Sequence, residues 1–393
     1  MRSCGVIVEY NPFHNGHLYH LKKAREASQA EVVIAVMSGN FLQRGEPAIF
    51  DKWIRAREAL SNGADLVIEL PVEWSVQSAD YFAKGAIQLL HAIGCEAICF
   101  GTDSLESFDY EAFGLFVKEN QHEVEKNFHA LKDTSLAYPQ KMTEVFRRIY
   151  PDISLDFSSP NHILGLSYAK ENALYESSMK IYPILRKSAD YHDDAFSSEE
   201  IASATAIRKA VHENREAINY VPKQTYTDLK TEHISSWKDY WPYLKYKITS
   251  TEVDELREIY QMSEGLEYRM KRAAIMSENF EQFIQLVKSK RYTQTRLQRL
   301  SCYILLNIKE EEIHLQWEAP YLHVLGFTDK GKQYLKEKKK SIEFPLISKI
   351  GKKEERYTLL VRGDKIYQMG MKKEEQNFGR IPIRIEGESN ERI

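Results

Sequence analysis

The strongest constraint on the fold lies in the first 25 residues, where an apolar strand passes directly into a helix. Val6–Val8 is a short apolar run typical of a buried strand. Asn11, Pro12 and Gly16 are turn residues, and Leu18–Arg25 has apolar and basic residues at helical spacing. A strand followed at once by a helix predicts the first unit of a parallel α/β sheet.

Two histidines, His14 and His17, stand in this connection with Gly16 between them. In a doubly wound sheet, ligands bind beyond the carboxyl ends of strands and beside helix N-termini. Imidazole N–H groups there can stabilise a phosphate that gains charge during displacement at phosphorus, and a glycine lets a nucleotide approach the backbone. A structural role, with one histidine capping the helix and the other filling the core, remains open from these residues alone.

The alternation of strand and helix continues to about residue 210. Apolar runs typical of buried strands occur at 32–37, 65–70 and 97–101, and helical spacing occurs at 50–60 and 79–93. Short apolar strands that alternate with helices predict a parallel sheet with helices on both faces. The more polar segment 104–149 has a helical pattern, which predicts an insertion or a peripheral helix pair.

Further units of this kind follow residue 158. Ser159–His162 predicts a helix N-terminus, and Lys180–Leu185 indicates a strand whose Pro183 favours a sheet edge. Ser197–Glu200 has the pattern of a capping box before a helix that starts at Ile201. This half of the sequence therefore predicts an α/β domain, a Rossmann-like doubly wound parallel sheet.

The pattern changes after Val221–Pro222, where strand signals fade and helical spacing dominates 252–307. The charged, glycine-containing tail holds a possible strand at Tyr357–Val361. We therefore predict two domains, the α/β domain at 1–222 and a mainly helical domain at 223–393, without internal repeats.

The composition is that of an ordinary globular protein, with 43% hydrophobic and 28% charged residues. No apolar run is long enough for a membrane span, no signal-peptide pattern is evident, and the four cysteines lack a metal-binding spacing. We therefore expect a cytoplasmic protein without a protein-bound metal site. The net charge of −3 gives no overall attraction for nucleic acid, so RNA contact requires a local basic patch. The oligomeric state stays open.

A second polar motif, Ser203-Ala-Thr205-Ala-Ile-Arg208, opens a helix at the far end of the α/β region. Hydroxyl groups, unpaired helix N–H groups and a guanidinium within one turn can together hold a polyphosphate. The alternative is an ordinary N-cap followed by a surface arginine.

Other strand and helix ends carry polar residues that can reach the same crevice. Gly101 and Asp103 follow a predicted strand, where a glycine admits a nucleotide and a carboxylate can accept a hydrogen bond from a ribose hydroxyl. Asn161 stands at a helix start, and Arg186 and Lys187 follow the next strand. A plain turn, an N-cap and a solvated cation pair are the structural alternatives.

Two further segments offer substrate contacts. The loop after the second strand contains Gln43 and Arg44, candidates for an acid substrate or RNA, although such a loop is often only a connection. A basic stretch around Tyr292 suits a phosphate backbone, although charge runs are usually solvated helix faces. Its cations are Lys288, Lys290, Arg291, Arg296 and Arg299.

The string Gly5-Val-Ile-Val-Glu-Tyr-Asn-Pro-Phe-His-Asn-Gly-His17 contains His-x-Gly-His after a first strand. This motif resembles the signature of nucleotidylyltransferases and class I aminoacyl-tRNA synthetases, and the longer string resembles the bacterial tRNA(Met) cytidine acetate ligases. The resemblance covers most of the chain and implies a HIGH-type nucleotidylyltransferase core. It implies that ATP and acetate form acetyl-adenylate, with Mg²⁺ held through the triphosphate. The acetyl group would then pass to N4 of the wobble cytidine of elongator tRNA(Met).

The resemblance also implies roles for individual residues. His14, His17 and Arg208 would act in catalysis, and Ser203 and Thr205 would hold the β- and γ-phosphates. The other nucleotide-binding residues would be Ile7, Val8, Glu9, Asn11, Pro12, Phe13, Gly16, His20, Gly101, Asp103, Asn161, Arg186 and Lys187.

Two alternatives stay open at this point. The chain can be a small-molecule nucleotidylyltransferase that acts on a phosphorylated metabolite, or a non-catalytic RNA-binding protein on the same fold. The residues alone select neither acetate nor the tRNA base, and they do not identify a general base for the attacking amine.

Overall fold

The computed structural model describes residues 1–103, 108–131, 138–149, 159–186, 201–213, 215–371 and 374–386. Its strands are β1 (Ser3–Val8), β2 (Val32–Ser38), β3 (Leu66–Leu70), β4 (Ala97–Thr102), β5 (Lys180–Leu185), β6 (Leu322–Thr328), β7 (Leu346–Ile347) and β8 (Ile383–Ile385). All of them join one sheet of order β5-β4-β1-β2-β3-β6-β7, and β8 pairs with β6.

Helices cover the sheet and form most of the second half of the chain. In the first half they are α1 (Asn15–Ser28), α2 (Lys52–Ser61), α3 (Val72–Ser75), α4 (Ala79–Ala92), α5 (Tyr110–Glu119), α6 (Gln121–Ala130), α7 (Tyr138–Ile149), α8 (Pro160–Ala173) and α9 (Ala204–His212). In the second half they are α10 (Lys223–Thr231), α11 (Trp237–Ser250), α12 (Val253–Arg257), α13 (Leu266–Met276), α14 (Phe280–Val287), α15 (Gln294–Leu305), α16 (Glu310–Glu318), α17 (Asp329–Lys338) and α18 (Thr358–Met371). Two short 3-10 helices lie at Ile218–Tyr220 and Glu355–Tyr357.

The first five strands are parallel, and the order in which the chain adds them to the sheet reverses once. β1 pairs with both β2 and β4, β3 lies beyond β2, and β5 lies beyond β4. The chain therefore moves outward through β2 and β3 on one side and through β4 and β5 on the other. The reversal between β1 and β4 is where ligands bind in doubly wound sheets. The predicted Rossmann-like sheet is confirmed, and β5, which contains Pro183, is its edge strand.

Alternate residues of β2 enter two different apolar cores, one on each face of the sheet. Ile34 and Val36 belong to the core that contains residues of α4 and α8. Val33 and Ala35 belong to the core that contains residues of α1 and α2. Because helices cover both faces, the strand is apolar throughout rather than alternating with polar residues.

Several predicted boundaries shift. The helix predicted at 50–60 begins at Lys52, because the Asp51 side chain caps its first N–H groups. The helix predicted from Ile201 begins at Ala204, with Ser203 as its N-cap, and the predicted capping box at 197–200 lies outside the described residues. The helix pair predicted in 104–149 is three helices in the described part of that segment.

The strand predicted at Tyr357–Val361 is wrong, because this segment starts α18. Tyr357, Leu360, Asp364 and Tyr367 are buried, and their spacing of three and four residues is helical. A run of five mostly apolar residues does not distinguish a strand from a buried helix segment. The tail therefore adds a helix here, and its strands lie elsewhere.

The second half is mainly helical, as predicted, yet it also completes the central sheet. β6 pairs antiparallel with β3, and the short β7 and β8 pair with β6. The sequence analysis did not predict these three strands. The sheet thus takes strands from both sides of residue 222, and the two-domain division at that residue stays a prediction.

A buried ion cluster joins the two halves below the carboxyl edge of the sheet. Lys52 Nζ lies 2.8 Å from Glu69 Oε2 and 2.7 Å from Asp364 Oδ2. His323 Nδ1 lies 2.6 Å from the same Glu69 oxygen, and Asn40 donates to Asp364 at 2.8 Å. One lysine therefore connects α2, β3 and α18 in a region closed to water.

We expect Lys52→Met to destabilise the fold strongly. The substitution leaves the Glu69 and Asp364 carboxylates buried without their cation, which typically costs about 3–5 kcal/mol. Urea unfolding followed by circular dichroism measures the loss. Lys23→Met is the matched control, since Lys23 pairs with Glu26 at the surface, and equal midpoints for the two variants would contradict this role of Lys52.

Candidate active site

His14 precedes α1 and caps its N-terminus. Its Nδ1 accepts a hydrogen bond from the Gly16 N–H at 3.0 Å, which pairs one of the helix N–H groups that has no partner within the helix. A Cβ on Gly16 would lie 2.8 Å from Cε1 and 2.9 Å from Nδ1 of the His14 ring. Glycine is therefore required here for the position of the imidazole itself.

His17 makes the reciprocal contact with the same loop. Its Nδ1 accepts a hydrogen bond from the His14 N–H at 3.3 Å, and the two rings stack with centroids 3.7 Å apart and planes at 27°. Since each Nδ1 is an acceptor, the hydrogen bonds assign the proton of each neutral ring to Nε2. Each histidine is thus set up as an Nε2–H donor.

Burial keeps both histidines neutral. It lowers the pKa of His14 to about 3, and the charges of Arg186 and Arg208 act in the same direction. The pKa of His17 is also lowered, first by burial and then by His14, His20 and Arg186. The two arginines therefore provide positive charge beside imidazoles that carry none, which favours an anionic ligand.

Asp103 connects the ends of β4 and β5 with the N-terminus of α8. Its Oδ2 accepts hydrogen bonds from Ser159 Oγ at 2.6 Å and Asn161 Nδ2 at 2.7 Å. Its Oδ1 lies 3.7 Å from Nη1 of Arg186. A Cβ on Gly101 would lie 3.1 Å from Cγ of the same arginine. Four predicted site residues are therefore brought together beside β1.

Arg208 reaches from α9 to the histidine loop, which is the segment at residues 9–14 between β1 and α1. Its Nη1 donates to the carbonyl oxygen of Asn11 at 2.8 Å. Its Nη2 lies 3.4 Å from Oγ1 of Thr205 and 3.6 Å from Oε1 of Glu46. The Ser203 hydroxyl caps α9 by accepting from a backbone N–H of the first turn at 3.0 Å. The motif is thus an N-cap, as in the structural alternative, but its arginine is turned toward the crevice.

The loop between β2 and α2, residues 39–51, lies against the histidine loop. Glu9 Oε1 accepts from the Gln43 N–H at 2.7 Å, and Asn11 Oδ1 accepts from the Ile49 N–H at 2.7 Å. Burial raises the pKa of Glu9. Glu9 and Asn11, predicted to bind nucleotide, therefore hold the two loops together in this structure.

The same loop packs against the helical half on its other side. Gly45 has φ +77°, and a Cβ there would collide with the backbone of Arg299 on α15. Trp237 of α11 donates its Nε1–H to the Gly45 carbonyl oxygen at 3.0 Å. Arg44 is exposed beside this contact, so the loop connects the histidine site with the predicted RNA-binding segment.

A family model described as HIGH Nucleotidyl Transferase matches residues 1–380. The chain belongs to this family. The tRNA(Met) cytidine acetate ligase of Ligilactobacillus salivarius is 42% identical over 391 residues, which are 98% of this chain and 100% of that protein. The enzyme of the same name from Bacillus licheniformis is 40% identical over 413 residues, 99% of each protein.

Solved structures agree with this assignment. Thermotoga maritima TmcAL in its apo form has a TM-score of 0.90 and 30% sequence identity, covering 98% of this chain and 100% of that one. The same protein bound with alpha-thio ATP has a TM-score of 0.87 at the same identity and coverage. Within the HIGH family, the chain therefore belongs with the tRNA(Met) cytidine acetate ligases, and the predicted resemblance is confirmed.

Other members of the predicted nucleotide-binding string have packing contacts. The ring of Phe13 lies 5.7 Å from that of His17, and His20 Nε2 lies 3.5 Å from Cys99 Sγ. Lys187 lies outside the described residues. The buried or half-buried members of this group are Ile7, Val8, Pro12, Phe13 and His20.

The basic segment before and within α15 surrounds one tyrosine. Arg291 and Arg296 lie 5.4 Å and 4.9 Å from the ring centroid of Tyr292, and Arg296 also donates to Ser263 Oγ at 2.7 Å. Arg299 is half-buried next to them, and burial lowers the pKa of Arg296 and of Arg299. Lys288 and Lys290 are exposed. In the described part of the chain, no ion pair joins these five cations to a carboxylate.

The sequence analysis missed three residues of the site. Glu46 was not singled out, although it contacts Arg208 and Asn11. Ser159 was read as an N-cap alone, yet its hydroxyl also donates to Asp103. Arg55 gave no signal, because an arginine in a helix normally indicates a solvated face.

The described residues include neither a membrane-spanning helix nor a cluster of metal ligands. None of their helices is long and apolar enough to cross a membrane. They contain no group of three or more His, Cys, Asp or Glu side chains suited to a metal ion.

We expect His14 to make the fold sensitive to acid. An unfolded histidine takes up a proton near pKa 6.5, whereas the pKa of folded His14 is about 3. Between these values only the unfolded state gains the proton, so this residue should lower the free energy of unfolding by about 1.4 kcal/mol for each pH unit of acidification from about pH 6 to 4.

Urea unfolding of the unsubstituted protein and of His14→Gln across this pH range measures the effect. The variant lacks the titrating ring, so its free energy of unfolding should fall less steeply on acidification, by about 1.4 kcal/mol for each pH unit. Parallel curves for the two proteins would contradict the assignment of a buried neutral imidazole.

Proposed function

We propose that this chain is an ATP-dependent tRNA(Met) cytidine acetate ligase of the cytoplasm. It would activate acetate as acetyl-adenylate and transfer the acetyl group to N4 of the wobble cytidine of elongator tRNA(Met), forming N4-acetylcytidine. The observation that carries the proposal is the pair of neutral, stacked histidines at the sheet reversal, with Arg186 and Arg208 beside them. Relatives that are 42% and 40% identical over nearly their full length carry that enzyme name.

In the first step, a carboxylate oxygen of acetate attacks the α-phosphorus of ATP and pyrophosphate leaves. Negative charge grows on the oxygens of the α-phosphate, so preorganised donors that meet this charge lower the barrier. The Nε2–H groups of His14 and His17 are such donors. Because neither ring has to change its protonation, the donors are ready when the charge develops.

Arg208 and Thr205 would hold the departing pyrophosphate. Arg208 is already held by the Asn11 carbonyl and by Glu46. Ser203 caps the N-terminus of α9, and helix N-termini attract phosphate through their N–H groups. Mg²⁺ would enter with the triphosphate and neutralise part of its charge. The described residues provide no cluster of metal ligands, which suits an ion that keeps its waters and binds mainly through phosphate.

The network around Asp103 would form the adenosine side of the site. Gly101 leaves room at the end of β4, and Asn161 presents an amide that already pairs with the carboxylate of Asp103. Arg186 would contact the adenylate, since its charge acts on both catalytic histidines. In this proposal, nucleotide recognition would lie on β4, β5 and α8.

In the second step, the exocyclic amine of cytidine attacks the acetyl carbon, AMP leaves, and the amine loses a proton. The mixed anhydride hydrolyses in water, so the acceptor RNA must reach a protected site. The basic segment at α15 would hold the RNA backbone, and Gln43 and Arg44, on the loop between this segment and the histidines, would contact acetate or RNA. Cations without a carboxylate partner beside an aromatic ring favour the binding of single-stranded RNA.

We expect the purified protein to form acetyl-adenylate and pyrophosphate in the presence of ATP, Mg²⁺ and acetate, and N4-acetylcytidine and AMP once tRNA is added. His14→Ala and His17→Ala remove the Nε2–H donors, and the loss of one such donor costs about 100- to 1000-fold in rate. Nucleoside mass spectrometry and pyrophosphate release measure the two steps. His122→Ala on the exposed side of α6 is the control, and unchanged acetylation in the His14/His17 double variant would contradict the proposed roles.

We expect Arg291→Gln combined with Arg296→Gln to weaken tRNA binding while acetate-dependent release of pyrophosphate without tRNA stays unchanged. Each lost phosphate contact should reduce the slope of log K against log salt by about one. Filter binding across a salt series measures this slope. Arg147→Gln is the matched control, because Glu144 already pairs with this exposed arginine. Equal slopes for the double variant and the control would exclude the segment from RNA binding.

A further inference from the structure

Arg55 of α2 is a fully buried cation, 0% exposed, whose hydrogen bonds all end on backbone carbonyls. Its Nη1 donates to the carbonyl oxygens of Glu9 at 2.7 Å and Ser38 at 2.9 Å. Its Nη2 donates to the carbonyl of Gly39, and its Nε donates to that of Phe50 at 3.0 Å. The guanidinium therefore binds carbonyl groups of three backbone segments: the one after β1, the one at the end of β2 and the one before α2.

Three of these carbonyls, those of Glu9, Ser38 and Gly39, follow the point where β1 and β2 stop pairing with each other. The parallel ladder of these two strands ends with Val8 opposite Met37, so the carbonyls that follow need other donors. A guanidinium is a planar fork of five N–H groups and can serve several acceptors at once, whereas a lysine ammonium has one nitrogen. Arg55 thus fixes the separation of the two segments that leave these strands.

Those two segments carry the phosphate-binding machinery. The segment after β1 runs through Asn11 to His14, and the segment after β2 contains Glu46. Arg208 contacts both of them, through the Asn11 carbonyl and through Glu46. A change in their separation would move the histidines and Arg208 relative to each other, and a misplacement of about 1 Å can cost about 100-fold in rate.

We propose that Arg55 is a positioning residue for adenylate formation. It holds the histidine loop and the 39–51 loop at the spacing at which His14, His17 and Arg208 address the same triphosphate. Arg55 acts through the backbone and does not touch the nucleotide. This inference rests on the proposed function, because kcat is measured in the proposed adenylation reaction.

The test compares Arg55→Lys and Arg55→Gln with Arg57→Lys. Lysine keeps the charge and loses the fork, and glutamine keeps a planar donor group and loses the charge. Arg57 lies on the same helix, but its Nη2 binds the Asp228 carboxylate of α10 at 2.8 Å rather than a backbone carbonyl of the two loops. For each folded variant, calorimetry gives the Kd for ATP, and pyrophosphate release with saturating acetate gives kcat. NMR of ¹⁵N-labelled histidines follows the rings of His14 and His17.

We expect Arg55→Lys to lower kcat at least tenfold, to change the Kd for ATP less than threefold, and to shift the ring signals of His14 and His17. Arg57→Lys should leave all three unchanged. A kcat for Arg55→Lys within twofold of the Arg57→Lys control would overturn the proposal, as would equal losses in kcat and ATP affinity.

The remaining outcomes also decide the question. If Arg55→Lys does not fold, the same criteria apply to Arg55→Gln, and if neither variant folds, the residue serves the fold rather than the site and the proposal is rejected. The unsubstituted protein is assayed first. If it releases no pyrophosphate from ATP in the presence of acetate, the proposed function fails, whereas the ATP affinities and histidine signals still test Arg55.

Discussion

The site depends on a reciprocal pair of hydrogen bonds at the start of α1. His14 accepts from the Gly16 N–H and His17 accepts from the His14 N–H, so the helix N-terminus is satisfied by the two histidine side chains that we propose to be catalytic. The same bonds orient both rings and assign their protons to Nε2, and desolvation keeps both rings neutral. Capping, orientation and protonation state are therefore one arrangement, which explains why the glycine between the histidines has no room for a side chain.

The loop at residues 39–51 joins this arrangement to the rest of the molecule. Glu9 and Asn11 bind it from the histidine loop. The helical half binds it through Tyr367, which donates to the Ala48 carbonyl at 2.7 Å, and through Asp364, which accepts from Asn40. The loop also contacts the basic segment that we propose to bind RNA, because Gly45 packs against the backbone of Arg299 on α15. The proposed RNA-binding and ATP-binding parts therefore both contact one segment, a geometry suited to a reaction that needs both substrates in place.

The features predictable from sequence were those that local chemistry determines. A turn between an apolar strand and a helix predicted the first βα unit, and polar residues after successive strands predicted a common crevice, because parallel strands end at one edge. Lys52, Arg55 and Glu58 were not predictable in this way. Their spacing of three residues is that of a solvated helix face, yet all three are 0% exposed. The partners of Lys52 and Arg55 are carboxylates and backbone carbonyls of other segments, which the local sequence does not reveal. Likewise β6 was missed because its partner, β3, lies more than 250 residues earlier in the chain.

The late position of β6 has a consequence for synthesis of the protein. In the described part of the chain, β6 is the strand that covers the outer edge of β3, so a growing chain that has already formed the first five strands still exposes the backbone groups of an apolar strand. Such an edge is a template for pairing with other chains. It stays open until β6 has been synthesised, so the nascent chain presents an unpaired strand edge that is paired in the finished protein.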